Sequence, residues 1–132
     1  MLGPDDAQAA DQQLNNTGAV VRLSWGNVRF LLTADIEAQA ERALIADGVD
    51  LRADVLKVAH HGSATSSSRA FLDAVRPRVS VVSAGRDNLF GHPRPEVVAR
   101  LEEYGPVLTT AAVGAVRFET DGRTLWYEVG GE

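Results

Sequence analysis

Short apolar runs alternate with polar breaks along the chain, and the spacing within the runs changes character from one part to the next. Ala19–Trp25 (AVVRLSW) and Val28–Thr33 (VRFLLT) flank Gly26-Asn27, two β-rich runs around a turn pair that predict a hairpin. After Ala34-Asp35 the period switches: Ile36, Ala40, Ala43 and Leu44 share one helical face, broken at Asp47 with Gly48 as a stop. Ala53–Ala59 (ADVLKVA) predicts a short buried strand that ends abruptly at His60-His61-Gly62-Ser63. Ser66, Ser67 and Ser68 offer N-caps for a helix carrying Phe71, Leu72 and Val75, ended by Pro77. Val79–Ala84 (VSVVSA) is a second buried strand, followed by the polar loop Gly85–Pro93. Pro95 opens a third helix with Val97, Leu101 and Tyr104 on one face, and Gly105 closes it. The tail predicts strands at Val107–Thr110, Gly114–Glu119 and Thr124–Val129, with a hairpin turn at Asp121-Gly122. Residues 1–16 read as an extended lead-in and 17–132 as one domain. The expected class is α/β, a mixed sheet with about three helices and terminal hairpins, covered on at least one face.

Composition narrows the function classes. The 132 residues are one domain's length, and 45% hydrophobic with 23% charged residues describes a globular chain rather than a disordered one. A net charge of −5 provides no global positive field, so any contact with nucleic acid has to be local, through a metal ion. Without cysteine there is neither a disulfide nor a thiolate metal site, and metal ligands must come from His, Asp and Glu. No apolar run approaches the ~20 residues of a membrane helix. The polar, acidic N-terminus does not read as a signal peptide, and the chain reads as soluble.

The candidate chemistry sits where predicted strands end. Asp35 closes VRFLLTAD, His60-His61 closes DVLKVAHH, and His92 lies beyond VSVVSA. Loops at strand ends are where α/β folds gather ligand groups, and a carboxylate with imidazoles suits a zinc- or manganese-type ion. Asp35 is equally placed to be a helix N-cap, and His92 between Gly91 and Pro93 could be an ordinary loop residue. Adjacent imidazoles leaving an apolar strand point in different directions, and Gly62 permits a sharp turn. The serines are caps rather than nucleophiles, since no G-x-S-x-G elbow surrounds them. From composition and spacing alone, this is a candidate metal or phosphate site.

The series LLTADIEAQAE, DVLKVAHHGSATSSS, FLDAVRP and NLFGHPRPEVVARLE, in that order and spacing, resembles the C-terminal part of the metallo-β-lactamase-like domain of ComEC-type DNA-uptake (competence) proteins. The resemblance runs from about Asn15 to the end. It implies the C-terminal half of an αββα sandwich with a dinuclear metal site at one edge. It puts Asp35, in Thr33-Ala34-Asp35, at the position of the aspartate that bridges the metals, and His61 at a terminal metal ligand. It sets His60 against the substrate phosphate, with His92 and Asn88 on the substrate side. Ala34 stands where the family has glycine and Ala59 where it has proline.

The family's main ligand motif, His-x-His-x-Asp-His, is not in this chain, nor is a further ligand histidine or the membrane channel of ComEC proteins. The resemblance therefore implies half of a nuclease domain acting on single-stranded DNA, with two divalent ions (zinc or manganese) in the full domain and none tightly bound by this chain alone. Its expected partners are the missing N-terminal half-domain and the membrane channel of the parent protein, on the extracytoplasmic side of the bacterial cell membrane. In isolation, a homodimer is expected. The competing readings are a non-catalytic structural or interaction fragment, and a hydrolase of a small phosphodiester or lactone.

Overall fold

The computed structural model describes residues 19–85 and 91–131; the lead-in expected over 1–16 and the candidate Asn88 lie outside the described residues. β1 (Val21–Trp25) and β2 (Val28–Leu32) form the expected antiparallel hairpin across Gly26-Asn27. β3 (Val55–Lys57) and β4 (Val79–Val82) then add in parallel, and β5 (Val107–Thr109) closes the sheet in the order β1-β2-β3-β4-β5. β6 (Ala115–Thr120) and β7 (Leu125–Gly131) form a separate two-stranded sheet. Both buried strands are shorter than their apolar runs: DVLKVA supplies three paired residues and VSVVSA four.

Helices α1 (Ala38–Ala46), α2 (Arg69–Val75) and α3 (Pro95–Glu102) match the expected three. Ser68 caps α2, its hydroxyl accepting from Phe71 N, and Pro95 stands in the first turn of α3, where its missing N–H costs nothing. Asp35 is not the cap of α1: Ile36 N bonds Thr33 O to make a turn, and the helix starts two residues later with Glu37 in the cap position. A fourth helix, α4 (Thr110–Val113), is one turn long and follows β5 directly.

The helices cover one face of the sheet. Leu31, Leu56 and Val82 point into a core with Ile36, Ala40, Leu44, Phe71, Leu72, Val75, Val97 and Leu101, all buried. Glu41 lies in the same layer with no exposed surface. Its carboxylate accepts from the backbone N–H groups of Ser67 (2.5 Å) and Ser68 (3.0 Å) at the start of α2. Arg100 of α3 reaches the same turn, donating to Ser67 O at 2.8 Å. Burial pushes the Glu41 carboxyl above its ordinary range, while the two amides and Arg100 pull it back.

The second face carries Val55, Val79 and Val81, covered by Val116, Phe118 and Leu125 of the β6–β7 hairpin. Phe30 meets Phe118 edge-on at 5.8 Å between ring centroids. The cover is partial: Leu23 (53%), Trp25 (66%), Tyr127 (44%) and Val129 (46%) remain well exposed.

Candidate functional site

Because β2, β3 and β4 run parallel in register, their carboxyl ends lie along one edge of the sheet: Leu32 beside Lys57, and Lys57 beside Val81. The segments leaving that edge carry Asp35, His60-His61 and, after a longer excursion, His92. Thr33 anchors the first of them, its hydroxyl donating to Lys57 O at 2.5 Å. Ala34 adopts a left-handed φ of 47°, a conformation in which glycine costs less, and its carbonyl accepts from His60 N at 2.9 Å. The Asp35 loop and the histidine turn are thereby joined through the backbone.

The turn Ala59–Gly62 is tightly wound. His60, His61 and Gly62 have φ values of 52°, 53° and 81°, three successive residues in the left-handed region. For a non-glycine residue that costs on the order of 1 kcal/mol or more, and such strain collects at functional sites. Gly62 has a second reason to lack a side chain, since a Cβ there would sit 2.5 Å from Pro93 Cβ. Gly62 O accepts from Arg94 N at 3.0 Å, which docks the His92-Pro93-Arg94 segment on the histidine turn.

The two side chains meet different partners. His61 is exposed and places Nδ1 2.6 Å from Ser83 O at the end of β4. His60 has its ring 5.8 Å from that of His92 in an edge-on pair and its Nδ1 3.4 Å from Glu37 Oε2. Burial lowers the His92 pKa, and the positive charge of His60, His61 and Arg94 lowers it further.

The sequence candidates therefore divide. His60 and His92 are brought into contact, Asp35 is tied to them through Ala34, and His61 faces Ser83. Among the described residues no group of three His, Asp or Glu side chains converges to hold a metal ion. His61 nevertheless has the arrangement of a metal-ligating imidazole, one nitrogen held by a carbonyl and the other without a hydrogen bond among the described residues, and Asp35 is an exposed carboxylate in the neighbouring loop. This donor set fits part of a divalent-metal site. Sequence reasoning missed Glu37, Thr65 and the Ser83 carbonyl. Glu37 lies two residues past Asp35, but only the fold sets it against His60.

The profile of the metallo-β-lactamase superfamily matches residues 14–86, a span that includes Asp35, His60 and His61. The chain is 30% identical over 130 residues to ComE operon protein 3 of Bacillus subtilis (strain 168), an alignment covering 98% of this chain and 16% of that protein. It is 36% identical over 119 residues to competence protein ComA of Neisseria gonorrhoeae, covering 89% of this chain and 17% of that one. Recombination protein 2 of Haemophilus influenzae is 40% identical over 104 residues, 78% of this chain and 13% of its own length. The chain thus spans 13–17% of the length of these relatives. No solved structure matches it. Among the described residues no helix is long and apolar enough to cross a membrane.

Proposed function

The chain belongs to the metallo-β-lactamase superfamily, and from that premise we propose that it is the C-terminal portion of a metal-dependent phosphodiesterase of nuclease type. In this reading it acts on single-stranded DNA during competence-linked uptake and is inactive by itself. The observation that carries the reading is the histidine turn: adjacent imidazoles held by different partners, His61 with Nδ1 on the Ser83 carbonyl and His60 against His92. The names of the competence and recombination relatives support the biological setting.

The residues divide the work by position. The Asp35 carboxylate and His61 Nε2 are the metal-facing donors of this portion. His60 and His92 line the substrate side, with His60 Nε2 turned toward the substrate. Divalent ions, when bound, supply a lowered water pKa and positive charge beside the phosphoryl group. Two donors are too few for a two-metal hydrolase, so the remaining ligands come from a preceding half-domain bearing His-x-His-x-Asp-His.

The test is to measure zinc and manganese content, and hydrolysis of single-stranded DNA, with this chain alone and with the half-domain joined to it. Activity and two bound ions only in the joined form are expected. A joined form that binds no metal and cleaves nothing would leave a structural module. Cleavage of a small phosphodiester or a lactone but not DNA would change the substrate.

A further inference from the structure

Glu37 occupies the N-cap position of α1 without capping it, for its side chain bonds none of the helix's own amides. That position ordinarily goes to Ser, Thr, Asp or Asn, whose short side chains reach back to the first turn. The Glu37 carboxylate is directed elsewhere. Its Oε2 accepts from the Thr65 hydroxyl at 2.6 Å and lies 3.4 Å from His60 Nδ1. Thr65 Oγ1 is also 3.4 Å from Nδ1, and 2.9 Å from Ser63 Oγ.

Counting protons assigns the donors. A carboxylate only accepts, and a hydroxyl has one proton to give. Thr65 gives its proton to Glu37, so Ser63 Oγ–H donates to Thr65 Oγ1 while accepting from Thr65 N at 3.3 Å. Both groups that face His60 Nδ1 are then acceptors, an arrangement that a proton on Nδ1 satisfies.

We propose that Glu37, with Thr65 as its bridge, is a positioning residue that fixes His60 in the Nδ1–H tautomer and leaves Nε2 as the nitrogen available to substrate. The backbone of His60 is held separately, through its N–H on Ala34 O. Glu37 therefore governs the ring rather than the turn. What Nε2 does rests on the phosphodiesterase reading above; the tautomer does not. Without the carboxylate, the Thr65 proton is released to Nδ1, and the ring converts to the Nε2–H form.

Imidazole ¹⁵N spectra of the chain, recorded at a pH where the ring is neutral, read this directly. His60 is expected as Nδ1–H in the wild type, as Nε2–H in Glu37→Ala, and still as Nδ1–H in Thr65→Val, where the carboxylate remains. A wild-type ring in the Nε2–H form overturns the proposal without any variant having to fold, and so does a Glu37→Ala ring that keeps Nδ1–H. In the metal-loaded complete domain, Glu37→Ala is expected to lower kcat by about 10–100-fold, the scale known for outer partners of metal-bound imidazoles, with KM and metal content unchanged. An unchanged kcat, or loss of metal in step with activity, overturns the positioning role. A wild-type complete domain that hydrolyses no phosphodiester overturns the substrate-directed part, and the functional reading with it, while the tautomer result stands separately.

Discussion

His61 Nδ1 lies 2.6 Å from the carbonyl oxygen of Ser83, so one imidazole ties the end of β3 to the end of β4. The bond fixes which nitrogen remains for a ligand, because a carbonyl can only accept and Nδ1 must therefore donate. In the complete domain, Asp35→Ala and His61→Ala are expected to abolish hydrolysis and lower metal occupancy together. His60→Ala should keep the metals and slow turnover by roughly 10²–10³, the scale of losing one positioned hydrogen-bonding group in the transition state. Elemental analysis beside kinetics checks the division. Equal metal loss in all three variants would refute it.

Glu41 is a second testable point, because it links α1 to the start of α2 through two amides. Glu41→Ala leaves both donors buried and unmatched, and should destabilise the fold by about 2–3 kcal/mol in a urea titration. The pH dependence has a definite sign. The folded pKa of Glu41 lies above its unfolded value, so the folded state binds more protons between the two. Its contribution to stability therefore rises as pH falls from neutral through the folded pKa. Glu41→Gln should remove that slope, which denaturation midpoints measured from pH 7 down to about 5 will register.

Ala34 holds a left-handed φ of 47°. Ala34→Gly relieves that strain at some cost in unfolded-state entropy, and the net should be a gain of up to about 1 kcal/mol. Gly62→Ala goes the other way, since its Cβ meets Pro93. It should both destabilise the chain and separate the His60 and His92 rings, visible as a change in their proton shifts.

Leu23 faces Phe30 across β1–β2, Phe30 meets Phe118, and Phe118 lies 5.6 Å from Tyr127. With Leu23 and Tyr127 exposed at its ends, this row forms an apolar strip on the less covered face. The isolated chain is expected to pair through it as a two-fold dimer at micromolar concentration, since burial returns ~25 cal/mol per Å². Sedimentation of Leu23→Lys should show a monomer. A wild type that is already monomeric would remove the proposal.

The parts of the fold legible in the sequence were those written locally. Gly26-Asn27 between β-rich runs gave the first hairpin, Ser68 and Pro95 marked two helix starts, and the apolar runs located β3 and β4. The site was legible at its histidines because they punctuate apolar strands. Its supporting contacts were not, since Glu37 reaches Thr65 across 28 residues and His61 reaches Ser83 across 22. The role of Glu41 was not legible for the same reason: its partners lie 26 and 27 residues away. Asp35 as a helix cap failed on backbone geometry, because the turn at Thr33–Ile36 delays the helix.

Among the described residues the β6–β7 hairpin shares no strand pairing with the five-stranded sheet. Besides its apolar underside, it meets the sheet at bare backbone, where Asn27 N donates to Gly122 O at 2.7 Å and a Cβ on Gly26 would come within 2.5 Å of that oxygen. Such a seam parts as one piece. Amide protons of β6 and β7 are thus expected to exchange with solvent together, at a lower opening free energy than those of β3 and β4. The molecule would then have two tiers of local stability, the strands that aim the histidines in the upper one and the hairpin over their far face in the lower.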